Sequence, residues 1–275
     1  MGNEFNKFYL KDNTYIRYKV LGAGNNPLML FHTIRNRLEY SYKVADLLKK
    51  KYKIFLIDLP GFGDSPINSK TNYDEEFFTE SVINLIKELK LKNVILAGES
   101  IGAVLPLTIT FKVPKLIKKI FLFNPYNYDN YFGDGIGRGN LFAKFIMFHI
   151  SIPMLGNLFS ALENKFILKN VMKGGFFDIK NLSESYLDLL CTSLRKKGYV
   201  YHFRNVLSNY KSWVDSKRIY DQIKKPIKLI YGSHDWATDT DKIETKNLLG
   251  LKEFETIENC GHFSFLEKPE KVSAI

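Results

Sequence analysis

Polar and apolar residues alternate over Lys7 to Lys11 and again over Thr14 to Leu21, on either side of Asp12-Asn13, and this pattern predicts a β-hairpin. Beyond Leu21 the pattern changes to short, nearly continuous apolar runs: Pro27 to Phe31, Lys53 to Ile57, Val94 to Ala97, Ile120 to Phe123 and Ile227 to Tyr231. Runs of that length without alternation are expected of parallel strands buried on both faces. Between them lie stretches of helical period. The clearest is Asp74 to Leu91, where Phe77, Phe78, Val82, Leu85, Ile86 and Leu89 share one face and Glu75, Glu76, Lys87 and Lys90 the other. Strand alternating with helix predicts an α/β fold around a parallel sheet, with the hairpin as its antiparallel edge.

The alternation stops after Pro125 and resumes at Pro226. Helical patterns fill the interval, so residues 128–217 are expected to form an inserted helical lid on a core made of 1–127 and 218–275. The insertion is rich in large apolar residues, among them Phe142, Phe145, Ile146, Met147, Phe148, Met154, Leu155, Phe159, Phe166, Met172, Phe176 and Phe177. Most are expected in the lid's own core, and some against the core domain, lining an apolar pocket between the two layers.

Composition narrows the function classes. Hydrophobic residues make up 45% and charged residues 25% of 275, which excludes a disordered scaffold. The densest apolar stretch, Phe145 to Phe159, is broken by His149, Ser151, Pro153, Gly156 and Asn157, so no integral membrane segment is expected. The formal net charge is +11, but the basic residues fall in short scattered groups such as Lys49-Lys50-Lys51 and Arg195-Lys196-Lys197. These read as solvated ends of helices and strands rather than a nucleic-acid surface. Two cysteines, Cys191 and Cys260, are too few for a disulfide framework, and cytoplasm is the expected compartment. Glu4 and Lys7 stand where a secretory leader would be apolar, and Asn6 stands where an N-myristoylation signal at Gly2 would have Ser or Thr.

The chemistry is concentrated in Gly98-Glu99-Ser100-Ile101-Gly102, where a buried strand runs into G-x-S-x-G and then a helix. Such a serine sits on a strained turn, and the flanking glycines leave room for the backbone. A serine hydroxyl needs a base to take its proton, and a carboxylate to orient that base. Of the five histidines, His149 and His202 fall in the insertion, His32 follows a strand and His234 directly precedes Asp235. Position favours His262, after the alternating segment Glu253 to Ile257.

Five motifs then carry a resemblance: Phe31-His32; Asp58-Leu59-Pro60-Gly61-Phe62-Gly63-Asp64-Ser65; Gly98 to Gly102; Tyr231-Gly232-Ser233-His234-Asp235; and Gly261-His262-Phe263 with Leu266-Glu267-Lys268-Pro269. In this order they resemble a serine-dependent, esterase- or lipase-like member of the α/β-hydrolase superfamily, over nearly the whole chain. The resemblance implies a mostly parallel eight-stranded sheet. It further implies Ser100 as nucleophile, Asp235 as acid with Asp129 in reserve, and His262 as base. The oxyanion hole would use the N–H groups of Ile101 and Ile34, with Thr33 as a less favoured donor.

Relatives usually carry glycine where Thr33 stands. A β-branched residue is strained at positive φ, so the loop is expected to follow a different path. Arg35 and Arg37 follow, and Arg35 could hold a substrate carboxylate or phosphate at the pocket mouth. Gly61-x-Gly63 lacks the further residues of a phosphate cradle, and no cluster has metal-ligand spacing, so no cofactor or metal is expected. Epoxide hydrolases and haloalkane dehalogenases share the fold but carry aspartate at the position of Ser100. The expected substrate is therefore a small, hydrophobic carboxylic ester or related acyl compound; thioesterase, lactonase, C–C hydrolase, peptidase and acyltransferase chemistry would use the same triad. A ligand-binding protein with little turnover is the alternative. The chain also stops where relatives often continue the last helix for another turn or two.

Overall fold

The hairpin forms: β1 (Asn6–Tyr9) pairs antiparallel with β2 (Tyr15–Leu21), with Asn13 at φ 64° in the turn. The computed structural model describes residues 4–275, so Gly2 lies outside the described residues. The apolar runs become β3 (Asn26–Phe31), β4 (Tyr52–Ile57), β5 (Val94–Glu99), β6 (Ile117–Phe123) and β7 (Ile227–Gly232), followed by the short β8 (Glu255–Ile257). They make one eight-stranded sheet in the order β1-β2-β4-β3-β5-β6-β7-β8. From β4 to β8 every pairing is parallel; the β2–β4 pairing is antiparallel. β6 starts three residues before its apolar run because Ile117 pairs with Val94, while Lys118 points to solvent and interrupts the pattern.

The helices follow the same logic. In α2 (Glu75–Glu88) the Asp74 carboxylate caps the first turn by accepting from Phe77 N at 2.9 Å. Its buried face carries Phe78, Val82, Leu85 and Ile86, and also two hydroxyls. One of these, Thr79, meets Thr108 of α3 (Ile101–Lys112) at 2.6 Å, which satisfies both. α1 (Tyr42–Leu48) lies between β3 and β4 in sequence.

Between β6 and β7 the chain forms an inserted helical lid: α4 (Asp134–Gly137), α5 (Leu141–Ser151), α6 (Leu155–Ala161), α7 (Lys165–Lys173), α8 (Glu184–Leu194), α9 (Tyr199–Ser208) and α10 (Tyr210–Asp215). After β7 come α11 (Asp239–Leu248), α12 (Ser264–Glu267) and α13 (Pro269–Ala274).

Two expectations about the lid need correcting. Its large apolar residues do not all turn inward: Phe145, Phe148, Met154, Leu155, Phe166 and Phe177 are exposed, while Ile146, Met147, Met172 and Phe176 are buried. Nor is Lys196 a solvated chain end. Its ammonium donates to the carbonyls of Gly61 (3.0 Å), Gly63 (2.8 Å) and Ser65 (2.6 Å), and burial lowers its pKa to about 8. It therefore ties the lid to the loop after β4.

Candidate active site

The strand-to-helix turn supplies the first component. Ser100 has φ 63° and ψ −126°, a conformation strained for a side-chain-bearing residue. A Cβ on Gly98 would collide with the backbone of Gly102, and one on Gly102 with the carbonyls of Phe31 and His32. Both glycines are therefore required by close approach of backbone, and the second brings the end of β3 against the start of α3. Ile101 is the first residue of α3, where an N–H has no intrahelical acceptor.

On the loop after β8, His262 Nδ1 lies 2.5 Å from Asp235 Oδ1, and both side chains are fully buried. If Asp235 is ionised, this contact selects the tautomer with the proton on Nδ1 and leaves Nε2 as an acceptor. The indole of Trp236 stacks on the imidazole at 4.0 Å and 19°, restricting its rotation. Asp129 takes no part in this pair. Its carboxylate accepts from Tyr126 OH and Gly135 N, both at 2.7 Å, and burial raises its pKa to about 7.

Ser100 Oγ and His262 Nε2 are buried and have no hydrogen-bond partner among the described residues. Orphaned buried polar atoms are costly, and these two are a hydroxyl donor and an imidazole nitrogen, the pair of groups a proton relay would need. Thr33 Oγ1 is a third such atom. Neither Ser100 nor His262 has measurable exposure. An apolar hollow of about 120 Å³ elsewhere is lined by Leu30, Val44, Ala97, Phe265, Val272 and Ile275, and by none of Ser100, Asp235 and His262.

The sequence reading missed the two residues that join these loops. Glu99, just before Ser100, is fully buried; it accepts from Ser264 N at 2.8 Å, from the Ser264 and Tyr40 hydroxyls, and from Asn124 Nδ2 at 3.1 Å. Burial raises its pKa to about 7, against those hydrogen bonds and the nearby His262, which lower it. Asn124, at the end of β6 with φ 47°, also donates to His262 O at 3.1 Å and accepts from Gly232 N at 2.8 Å. One asparagine thus connects the serine turn, the histidine loop and the strand leading to Asp235. The available signal was a polar pair at the ends of two buried strands, one of them asparagine, which tolerates positive φ.

The loop after β3 departs from expectation in two ways. Thr33 is not among the residues at positive φ; Arg35 takes that conformation instead, at 61°, so the strained position moves two residues along. The turn closes through Asn36 N to Thr33 O (3.3 Å), with Ile34 inside it. His32 accepts from Leu59 N through Nε2 and faces Thr33 O through Nδ1, and burial lowers its pKa to about 4.

Arg35 does not stand open at a pocket mouth. Its guanidinium forms a buried ion pair with Glu163 of the lid and lies 4.6 Å from the Phe203 ring centroid, while Tyr199 OH donates to the other Glu163 oxygen at 2.5 Å. Its charge is already matched, so the expected role in holding a substrate anion is replaced by a lid contact. Arg37 pairs with Glu39 and Asp64. Asp58 accepts from Leu38 N and Asp64 N (2.7 Å each) and pairs with Arg17. No group of three potential metal ligands occurs among the described residues, and no helix among them is long and apolar enough to cross a membrane.

Residues 26–138 match the family described as alpha/beta hydrolase fold. The chain is 25% identical over 269 residues to a Haemophilus influenzae protein named "Putative esterase/lipase", covering 94% of this chain and 84% of that protein. It is 23% identical to the 2-hydroxy-6-oxononadienedioate/2-hydroxy-6-oxononatrienedioate hydrolase of Escherichia coli, covering 90% and 85%. Among solved structures, Cfl2 from Burkholderia cenocepacia superposes with a TM-score of 0.80 at 17% identity, covering 98% of this chain and 93% of that one. The epoxide hydrolase CorEH superposes equally well, at 18% identity and with 98% and 96% covered. Sheet topology and these similarities agree on the fold: the chain has the α/β-hydrolase fold with an inserted helical lid, and its residues 26–138 match the family of that description.

Proposed function

We propose that the protein is a serine hydrolase that cleaves small, hydrophobic carboxylic esters or related acyl compounds through an acyl-enzyme. Ser100 Oγ attacks the acyl carbon while His262 Nε2 takes its proton, and Asp235 holds the Nδ1–H and stabilises the imidazolium that forms. The N–H groups of Ile101 and Ile34 stabilise the oxyanion. His262 returns the proton to the leaving group, water then attacks with His262 again as base, and the acid departs. The observations that carry this reading are a serine at φ 63° whose buried Oγ lacks a partner and a buried histidine whose Nε2 also lacks one and whose Nδ1 meets a carboxylate.

The serine favours acyl chemistry over epoxide opening, for which relatives use aspartate at that position. The pairing of Arg35 with Glu163 favours a neutral over an acidic acyl group. Residues 128–217 would act as the lid on a core of 1–127 and 218–275. The unpaired state of Cys191 and Cys260 is consistent with a cytoplasmic enzyme.

Intact-mass analysis after treatment with a fluorophosphonate tests the reading. One stoichiometric adduct is expected on the chain, and none on Ser100→Ala or His262→Ala. An adduct that persists in Ser100→Ala would overturn the assignment, and its absence from the folded, unaltered chain would favour a binding protein with little turnover.

A further inference from the structure

Helix α5 is apolar on both sides. Ala143, Ile146, Met147 and Ile150 face the protein, while Leu141, Phe145 and Phe148 fall on the opposite face together with Lys144 and are exposed. Spacings of three, four and seven residues ordinarily mark the stripe that a helix buries. Here that stripe is 85% exposed at Leu141 and 63% at Phe148. A helix that is apolar all round needs a second apolar environment.

The neighbouring helices extend the same surface. Met154, Leu155, Leu158 and Leu162 around α6, and Phe166 on α7, are exposed, with Met154 at 88%. Ring contacts link the pieces: Phe142 with Phe166 at 6.2 Å, and His149 with Phe145 at 4.1 Å and Phe159 at 4.7 Å. Single exposed apolar residues are ordinary, but a contiguous group of this size marks an interaction surface.

Charge identifies the occupant. Between Leu141 and Lys173 the chain carries four cations, Lys144, Lys165, Lys169 and Lys173, and one acid, Glu163. Glu163 is buried against Arg35, so this segment presents no carboxylate of its own to solvent. Lys165 pairs with Glu184 and Asp188 of α8 and Lys169 with Glu184, whereas Lys144 and Lys173 enter no ion pair among the described residues. The segment is also a unit. Gly139 and Gly174 pack backbone on backbone at its base, where a Cβ on either would press against the other, and Asn140 Nδ2 donates to Asn170 O at 3.0 Å.

We propose that the outer face of α5, α6 and α7 docks peripherally on an anionic lipid surface, the apolar side chains entering the headgroup boundary and Lys144 and Lys173 meeting lipid phosphates. Interfacial helices bind in this way, by apolar burial together with attraction to anionic lipid. A second copy of the chain fits less well, because it would bring two lysine-bearing faces of a +11 protein together. The proposal concerns where the protein sits and is independent of the triad's chemistry.

Flotation of the full chain with vesicles of equal parts phosphatidylcholine and phosphatidylglycerol, against phosphatidylcholine alone, tests it. The chain should float with the anionic vesicles and much less with the neutral ones. Leu141→Gln with Phe148→Gln removes apolar contact without changing charge and should weaken binding about tenfold or more. Lys144→Gln with Lys173→Gln should weaken it about tenfold on anionic vesicles only. Thermal midpoint and fluorophosphonate labelling should be unchanged in both. If the glutamine pair unfolds the lid, Leu141→Ala with Phe148→Ala gives the same readout with a smaller loss. No flotation of the unaltered chain, or binding indifferent to both pairs, would overturn the proposal. So would a dimer in solution that the Leu141 and Phe148 substitutions dissolve without any vesicle binding.

Discussion

Floor and roof of the candidate site are held by different means. Ser100, Asp235 and His262 stand at the ends of parallel strands, fixed by backbone geometry and by Glu99 and Asn124, whose hydrogen bonds run from one loop to the next. The lid above rests on side-chain charges and a few backbone contacts: Arg35 with Glu163, Lys196 on three carbonyls, and Glu267 accepting from Phe177 N and Asp178 N. A floor tied by backbone keeps its geometry when one partner is lost. A roof tied by buried charges depends on every partner, because an unpaired buried charge is far more costly than an unpaired dipole.

The largest test falls on the floor. Asp235→Asn keeps the shape but offers Nδ1 a donor, so His262 is held in the wrong tautomer and ester turnover should fall by about 10⁴-fold. Asp129→Asn should change it less than about tenfold, since Asp129 faces Tyr126 and Gly135. Comparable losses in both would mean that the acid is shared between the two loops. The roof comes next. Glu163→Leu strands the Arg35 guanidinium and should cost about 3–5 kcal/mol in urea unfolding, most of it recovered by adding Arg35→Met. A cost below about 1 kcal/mol would show that Arg35 reaches water and that the roof is looser than its ion pair implies.

A smaller effect separates roof from floor by pH. His202, on lid helix α9, is buried against Phe62 and Tyr73 with its pKa lowered to about 3, and fills the space that a Cβ on Gly61 would need. An unfolded chain protonates this histidine below its ordinary 6.5 while the folded one does not, so its stabilising contribution is complete above that value and shrinks as pH falls. Lowering the pH from about 7 to about 5 should therefore cost about 2 kcal/mol through His202 alone. Glu99 and Asp129, raised to about 7, act in the opposite sense: they take up protons in the folded state first and gain stability over the same interval. The difference between the chain and His202→Phe isolates the histidine; if that difference does not change with pH, His202 is solvated in the folded state.

The floor was legible in sequence because each part has a local cause. A strained serine turn requires Gly98 and Gly102, and buried parallel strands require unbroken apolar runs. What escaped detection was decided by partners distant in sequence. Nothing local distinguishes Lys196 from the solvated Lys197, or tells that Arg35 meets Glu163 rather than substrate. The apolar residues of the lid misled for a related reason: periodicity reports that a helix has an apolar face, not which neighbour covers it, and α5 has two such faces. The Thr33 reading was half right. A β-branched residue did avoid positive φ, but the strain passed to Arg35, a residue with no intrinsic preference for it.

The smallest effect compares two helix caps. Asp74 caps α2 against the core, and Asn140 caps α5 in the lid by accepting from Ala143 N at 2.7 Å. As local interactions the two are nearly equivalent, and replacing either by alanine removes about 1 kcal/mol from its helix. Their consequences should differ because the helices belong to different parts of the molecule. Asp74→Ala acts on a helix packed along the sheet, so the loss should appear in global unfolding and in the exchange of the most protected strand amides. Asn140→Ala acts on a segment joined to the rest through the Gly139–Gly174 neck, the Arg35–Glu163 pair and its contacts with lid helices α8 and α9. Hydrogen exchange should then quicken in α5 to α7 while β5 and α3 keep their protection. If Asn140→Ala instead lowers protection throughout the sheet, the lid and the floor unfold as one cooperative unit, and the distinction between a backbone-held floor and a charge-held roof has no energetic counterpart.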